Sequence, residues 1–342
     1  MANKSNIYVR LTLLIILNLT LINTGIHFLS LKKNSSQEEH PSQSVNVSNT
    51  VNKNNKFNIL VLGLDKVANL TDVILIVSYD TVSRSMNVLQ IPRDTYAEYT
   101  SASYRKINAA TDILNGGRQV ANFIEHTLCI AIDRYVIIDI DTIAEIVDAV
   151  GGVEIDVPQD MKYSDPYQNL DINIKKGMQL MDGQKAVKFL RYREGYTRGD
   201  LDRLDAQKLF MAAFLKKIAN NGTASLFTSI ADKVLNKLES DITYKDCFHL
   251  FVEVGMPSID KIYFSTLPGC DVRSSSGTWY YIMNRRAAFE IIKEQFNPRL
   301  EEVDFDCERK FTNSIKRDFN EIYEAQNGYE AKIYSADQLI KS

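Results

Sequence analysis

Two aspartates stand where the chain leaves one apolar run and enters the next. Asp65 follows the run 58–62 and Gly63, and Asp72 directly precedes the run 73–79. If the two runs are neighbouring strands, both carboxylates lie at the same sheet edge. Proteins commonly hold Mg²⁺ with one or two carboxylates, and water and substrate phosphate complete its coordination. The pair favours a hard divalent cation, although aspartates at strand ends are also common turn formers.

A set of arginines follows the same pattern of strand ends and loops. Its members are Arg93, Arg191, Arg193, Arg198 and Arg203. Pro92 precedes the first of them and stiffens the exit from a predicted strand. The last begins a predicted helix that also carries Gln207, four residues farther on.

Guanidinium groups bind phosphate oxygens in pairs of parallel hydrogen bonds, which an ammonium group does not match. Five such cations at one site would suit a pyrophosphate. The alternative is a solvated loop in which the arginines form surface ion pairs with Glu194, Asp200, Asp202 and Asp205, each worth little. Asp94 follows Arg93 and is a candidate base, or the partner of a salt bridge that fixes Arg93.

The composition restricts the class of protein. The 342 residues are 45% hydrophobic and 24% charged, which is typical of a globular chain with a sizeable core. The net charge of −3 gives no overall basic field, so nucleic acid is not expected as a partner. The cysteines at 129, 247, 270 and 307 form no C-x-x-C pair and have no histidine at zinc spacing.

The N-terminus predicts a membrane anchor. Residues 11–31 form a largely apolar run of the length that crosses a bilayer as a helix, and no small-residue cleavage site follows it. Basic residues flank the run equally on both sides, so charge alone does not orient it. Residues 1–10 precede the anchor, and the polar segment 32–56 is expected to be a linker.

The remaining chain alternates between strand and helix patterns. Strands are predicted at 57–62, 73–79, 86–91, 135–140, 153–157, 262–267 and 279–283, and helices at 117–129, 143–150, 182–190, 200–219, 226–238, 244–254 and 285–295. This order indicates an α/β fold in which helices cover a sheet. Residues 299–342 are charged and less periodic, and we expect a peripheral appendage there.

At this point the chain strongly resembles the LytR-CpsA-Psr family of cell-wall ligases over residues 57–298. Seven segments carry the resemblance, each weak alone but specific in this order. They are NILVLGLD (58–65), TD (71–72), IPRDT (91–95), KIN (106–108), VGGV (150–153) with DVP (156–158), RYR (191–193), and DLDR (200–203) with Gln207.

The resemblance implies a three-layer α/β/α domain with a central mixed sheet, placed outside the cytoplasmic membrane behind a single transmembrane helix. Its implied activity is transfer of a glycopolymer, such as teichoic acid or capsule, from a polyprenyl-pyrophosphate carrier to a peptidoglycan sugar hydroxyl. Asp65 and Asp72 would hold Mg²⁺ or Mn²⁺. The pyrophosphate would contact Arg93, Lys106, Arg191, Arg193, Arg203 and Gln207, and the four arginines would stabilise charge during the transfer.

The chain also departs from the family pattern. Leu70 and Ala206 stand where arginines are usual, and the loop between Asp65 and Asp72 is short. Two other functions therefore remain open. One is a polyprenyl-pyrophosphate pyrophosphatase, with water as the acceptor, and the other is a lipid-binding or regulatory module of the cell envelope without catalysis.

Overall fold

A computed structural model describes residues 55–65, 69–97, 99, 105–168, 170–221, 237–243, 246, 255, 257–274, 276–296 and 333–341. Within these ranges no helix is both long and apolar enough to cross a membrane. The predicted anchor 11–31, nearly all of the linker, Cys247 and Cys307 lie outside the described residues.

The strands are β1 Lys56–Asp65, β2 Leu70–Asp80, β3 Ser85–Gln90, β4 Arg134–Asp139, β5 Val153–Val157, β6 Met161–Asp165, β7 Leu170–Ile174, β8 Gly177–Met181, β9 Glu239–Ser240, β10 Ile262–Thr266, β11 Gly269–Arg273, β12 Trp279–Met283 and β13 Ile333–Ser335. The described helices are α1 Ala110–Leu114, α2 Gly117–Leu128, α3 Ile140–Ala149, α4 Gly183–Arg191, α5 Asp200–Asn221, α6 Arg285–Gln295 and α7 Ala336–Lys341.

A seven-stranded mixed sheet in the order β13-β10-β3-β2-β1-β4-β9 forms the centre of the fold. Strand β1 pairs antiparallel with β2 and parallel with β4, and β3 pairs antiparallel with β2 and parallel with β10. Strands β1, β3, β4 and β10 therefore all end at the same sheet edge. This confirms the predicted α/β class with a central mixed sheet.

Helices pack against both faces of the sheet because side chains alternate along each strand. Leu60 and Leu62 of β1 join an apolar cluster with α2 and α6, while Val61 between them packs in a cluster with α5 and α7. A further cluster joins α3, α4 and α5 to the strand pair β5–β8 and the hairpin β6–β7. Helix α5 contributes to both of the last two clusters.

The helix starts follow the capping rule. Asp182 precedes α4 and its carboxylate accepts the Lys185 N–H at 2.8 Å, as predicted. Helix α3 begins three residues before the predicted start because Asp139 accepts the Thr142 N–H at 2.7 Å. The predicted helices 226–238 and 244–254 lie almost wholly outside the described residues, and the described part of the first, 237–238, is not helical.

Residues 333–341 belong to the central fold. Strand β13 pairs antiparallel with β10, and Ala336 of α7 is fully buried in the cluster that covers one sheet face. Within the predicted appendage, the described residues 333–341 thus form an edge strand of the main sheet and a helix that packs on it. The rest of 299–342 lies outside the described residues.

Asp133 ties the start of β1 to the turn before β4. Its carboxylate accepts the Asn58 N–H at 2.8 Å, and its own N–H donates to the Asn58 carbonyl at 2.9 Å. Burial is the largest influence on this carboxyl and raises its pKa from 3.8 to about 6.

We expect Asp133→Asn to remove a pH dependence of stability. The folded-state pKa lies above the unfolded one, so this carboxyl favours folding most at low pH. Its contribution to the free energy of unfolding falls by up to about 3 kcal/mol as pH rises from about 4 to about 6. Asn keeps an oxygen for the Asn58 N–H and does not titrate. Urea unfolding between pH 4 and 7.5 should show the free energy of unfolding of the variant increasing relative to wild type as pH rises. Glu154→Gln, on the exposed face of β5, should show no such increase.

Candidate active site

The predicted site residues gather at the edge where β1, β3 and β10 end. Asp65 is the last residue of β1, Asp72 lies near the start of its antiparallel neighbour β2, and Arg93 follows the end of β3. In open α/β sheets this carboxyl edge is the usual location of ligand sites.

A β-bulge sets the position of Asp72. Gly63 pairs with Val73 and Leu64 pairs with Thr71, so Asp72 is the extra residue between two paired positions. A Cβ on Gly63 would lie 2.8 Å from the Val73 Cβ, so glycine is required opposite the bulge. The bulge turns the Asp72 carboxylate toward Arg93, whose Nη1 lies 2.5 Å from Oδ1.

Arg93 is held from two sides by carboxylates. Besides the contact with Asp72, its Nε lies 3.7 Å from Asp200 Oδ1 and, although buried, has no hydrogen-bond acceptor among the described residues. Burial alone would lower the pKa of Arg93, but the charges of Asp200 and Asp72 outweigh it and raise the pKa. Thr95 fixes the backbone of this turn, since its N–H and hydroxyl both donate to the Pro92 carbonyl, at 3.0 and 2.6 Å.

Asp200 joins this cation to a second one. It begins α5, and its two oxygens accept from Nε and Nη2 of Arg203 at 2.9 and 3.1 Å. The Arg203 side chain is only 4% exposed, so this carboxylate neutralises a buried charge. Two guanidinium groups and a shared carboxylate thus connect the end of β3 to the start of α5.

Gln207 occupies the buried side of the same helix. Its Oε1 accepts from Gln90 Nε2 at 2.8 Å, and its Nε2 lies 3.4 Å from the Leu190 carbonyl. These bonds connect α5 to β3 and to α4. The part of Gln207 in holding a pyrophosphate stays a prediction.

Lys106 and Asp94 form a separate ion pair, with Nζ 2.7 Å from Oδ1. Asp94 therefore forms a salt bridge as one hypothesis held, but its partner is Lys106 and not Arg93. Asp271 on β11 belongs to the same surroundings. Its pKa is raised, first by burial and then by the negative charges of Asp94 and Asp200, while Lys106 opposes the shift.

The structure does not bring all five predicted arginines together. Arg198 is 57% exposed and pairs with Asp202 and Asp205 at 2.5 Å each, as the alternative of a solvated loop predicts. Arg191 is half-buried at the end of α4, and Arg193 is exposed in the following loop. The structure brings Arg93 and Arg203 together at Asp200, whereas Arg198 forms surface pairs.

Sequence reasoning missed two functional neighbours. Asp200 was named in a family segment and as a partner in a solvated loop, but not as the residue between Arg93 and Arg203. Its spacing of three residues before Arg203 on a helix places both on one face. Gln90 lies inside an apolar strand and carried no local signal. Its contact with Gln207 spans 117 positions of sequence and depends on the fold.

The chemistry of the donors at Asp65 and Asp72 fits a hard divalent cation. Both offer carboxylate oxygens at neighbouring strand ends, and the Asp72 side chain is 35% exposed. Within the described ranges, no group of three or more His, Cys, Asp or Glu could enclose a metal. Such a pair suits Mg²⁺ with water and phosphate as its further ligands.

Comparisons with known proteins agree on one family. The LytR_cpsA_psr family model matches residues 20–297. TagV of Bacillus subtilis strain 168, named polyisoprenyl-teichoic acid–peptidoglycan teichoic acid transferase, is 28% identical over 259 residues, which cover 73% of this chain and 66% of TagV. TagU of Bacillus anthracis, which has the same enzyme name, is 26% identical over 288 residues, covering 78% of this chain and 89% of TagU.

Solved structures share the fold. The crystal structure of B. subtilis TagV gives a TM-score of 0.58 at 26% identity, covering 70% of this chain and 96% of that one. The structure of TagT bound to LIIa-WTA gives a TM-score of 0.56 at 22% identity, covering 70% and 89%. At the latter identity the likeness concerns the fold alone.

The bridge at Asp200 gives a prediction about stability. Asp200→Asn leaves the buried Arg203 charge without its counter-ion, so the free energy of unfolding should fall by about 1–3 kcal/mol. Asp202→Asn is the matched control, because its partner Arg198 is exposed and the loss should stay below about 1 kcal/mol. Denaturant unfolding of both variants measures this, and equal losses would contradict the bridging role.

Proposed function

The chain belongs to the LytR-CpsA-Psr family, and we propose that it transfers a glycopolymer from a polyprenyl-pyrophosphate carrier to a sugar hydroxyl of peptidoglycan. One observation carries the proposal. Arg93 and Arg203 are held on the same carboxylate, at the sheet edge where Asp65 and Asp72 lie. The names of TagV and TagU as teichoic acid transferases support the substrate class.

The proposed reaction is a phosphoryl transfer. The hydroxyl oxygen of the acceptor sugar bonds to the phosphorus that carries the glycopolymer, and the bond from that phosphorus to the bridging oxygen breaks. Polyprenyl monophosphate leaves, and the hydroxyl gives up its proton. Asp94 is the candidate to receive that proton, and its ion pair with Lys106 fixes the position of the carboxylate.

The chain's own residues act mainly by positioning charge, because phosphoryl transfer leaves little covalent work to the protein. Arg93 and Arg203 would bind the phosphate oxygens, with Lys106, Arg191, Arg193 and Gln207 as further contacts. The Arg93 side chain is 19% exposed, and a phosphate oxygen would contact its exposed part. Because carboxylates already fix both guanidinium groups, little reorganisation accompanies the reaction.

Asp65 and Asp72 would hold the divalent cation, Mg²⁺ or Mn²⁺. Bound there, it would neutralise charge on the pyrophosphate. Carboxylates are numerous at this edge, with Asp72, Asp94, Asp200 and Asp271 near one another or near the same cations. A dianionic substrate would meet repulsion from them, which a cation at the aspartate pair would offset.

The three-layer α/β/α arrangement, with an apolar pocket for the polyprenyl chain, is part of this proposal. Apolar clusters on both faces of the sheet support the layered arrangement. The location is also part of the proposal. The chain would be a single-pass membrane protein that is anchored by residues 11–31 and has its catalytic domain outside the cell membrane. The departures at Leu70 and Ala206 leave the bridge at Asp200 intact, since Ala206 packs in an apolar cluster and Leu70 lies opposite Asp65 in the β1–β2 pair.

Transfer is tested with the purified full chain in detergent, a short polyprenyl-pyrophosphate-linked oligosaccharide, a peptidoglycan fragment, and Mg²⁺ or chelator. Arg93→Ala is expected to slow formation of the phosphodiester-linked product about a hundredfold or more, because it removes charge that stabilises the transition state. Asp72→Asn should do the same, and chelator should abolish the product. Arg198→Ala is the control, because its exposed guanidinium pairs with Asp202 and Asp205 at the surface. Its rate should stay within about twofold of wild type.

Mass spectrometry separates the alternatives. Polyprenyl monophosphate released without the phosphodiester product would indicate a pyrophosphatase. Binding of the lipid without turnover would indicate a binding or regulatory module. Either result would overturn the proposal, as would an Arg93→Ala variant as active as the Arg198→Ala control.

A further inference from the structure

The hairpin of β11 and β12 forms a two-stranded sheet of its own and docks directly on the candidate active site. The Tyr281 N–H donates to the Asp94 carbonyl at 2.9 Å, and the Tyr96 N–H donates to the Tyr281 carbonyl at 2.9 Å. The hairpin is therefore attached to the segment that follows Arg93. Its position is set by the same turn that sets the site.

The two faces of this hairpin differ in chemistry. One face carries Val272, Tyr280 and Ile282, which pack against Tyr96 in a small apolar cluster. By the alternation of side chains, Asp271 and Trp279 share the opposite face, where Asp271 lies across from Tyr281 and Trp279 lies across from Arg273. Asp271 and Trp279 are thus diagonal neighbours, with Cα atoms about 7–8 Å apart.

Trp279 is 56% exposed, although it is among the largest apolar side chains. Single exposed apolar residues are normal on protein surfaces. This one differs because Asp271, on the same face, lies across from Tyr281, whose N–H donates to the Asp94 carbonyl. The pKa of Asp271 is raised by partial burial and by the charges of Asp94 and Asp200. The hairpin face therefore carries an exposed indole and a carboxylate next to the segment that contains Asp94.

We propose that this face is a subsite for the acceptor glycan. The Trp279 ring would stack on the C–H face of a sugar, and the Asp271 carboxylate would accept a hydrogen bond from a sugar hydroxyl and orient it toward the site. The proposal rests on the proposed function, which requires a second substrate with a sugar hydroxyl. It goes beyond that function because it names where the acceptor chain lies.

The charges on the face favour a neutral polyhydroxyl ligand over other occupants. Insertion of Trp279 into a bilayer would carry the neighbouring Asp271 carboxylate out of water, which is costly. The face carries one carboxylate, Asp271, and one guanidinium, Arg273, so it has no net charge to attract a polyanion. A glycan offers hydroxyl donors to the carboxylate and an apolar ring face to the indole. Arg273, whose Nε donates to the Gly277 carbonyl at 3.1 Å, fixes the hairpin turn beside Trp279.

Trp279 is the single tryptophan of the chain, so its fluorescence reports on this face alone. The full chain in detergent is titrated with a soluble, uncrosslinked peptidoglycan tetrasaccharide. We expect a saturable change in emission. Asp271→Asn should weaken the apparent Kd about fivefold, the effect of one hydrogen bond. Tyr167→Ala, which removes an exposed aromatic from the loop between β6 and β7, should leave the Kd unchanged.

Trp279→Ala is then compared with wild type in the transfer assay. Its KM for the acceptor is expected to rise about tenfold, with the affinity for the lipid donor unchanged. An emission that shifts with anionic lipid vesicles and not with the glycan would overturn the subsite in favour of a membrane contact. Normal transfer with no glycan-dependent emission and an unchanged KM would also overturn it, while leaving the proposed function standing. Saturable glycan binding without transfer would support the subsite and count against the proposed function.

Discussion

The arrangement of the candidate site depends on one carboxylate, Asp200, that lies between Arg93 and Arg203. A guanidinium group removed from water is stable only when it is paired, and a pair that also bridges two elements fixes their relative position. Asp200 does this for the end of β3 and the start of α5. Helix α5 also connects this site to the core, because its other residues pack in two separate apolar clusters. The site and the core are therefore positioned by the same helix.

Much of this fold could be predicted from sequence because its central strands are continuous apolar runs. The predicted and observed bounds of β5 and β12 are identical, and those of β1 to β4 and β10 differ only at their ends. The helices α2, α4, α5 and α6 were likewise found from apolar spacing and from the cap at Asp182. Asp72 and Arg93 were each predicted at the end of such a run, and the structure brings them into contact.

What the sequence left out depends on contacts between distant positions. Strands β6 and β7 are short and carry exposed polar residues at alternate positions, so they gave little apolar signal. Strand β8 is equally short, and its exposed residues are the apolar Met178 and Leu180. The bulge at Asp72 follows from the pairing of β1 with β2, which no local pattern specifies. Arg198 and Arg203 are alike in sequence, yet one forms surface pairs and the other is buried. The packing of α5 determines which arginine reaches the site, and the local sequence does not specify that packing.

The position of the outer strand β13 affects how the chain folds during synthesis. Strand β10 has β3 on one side and β13 on the other, and β13 is made only after the chain between Thr266 and Ile333 has been synthesised. Until then the β10 edge is unprotected, and unpaired strand edges invite association with other chains. The ammonium of Lys208 on α5 lies 5.4 Å from the ring centroid of Tyr334 in β13. Late-synthesised residues thus complete both the sheet edge and the surroundings of the helix that begins at Asp200.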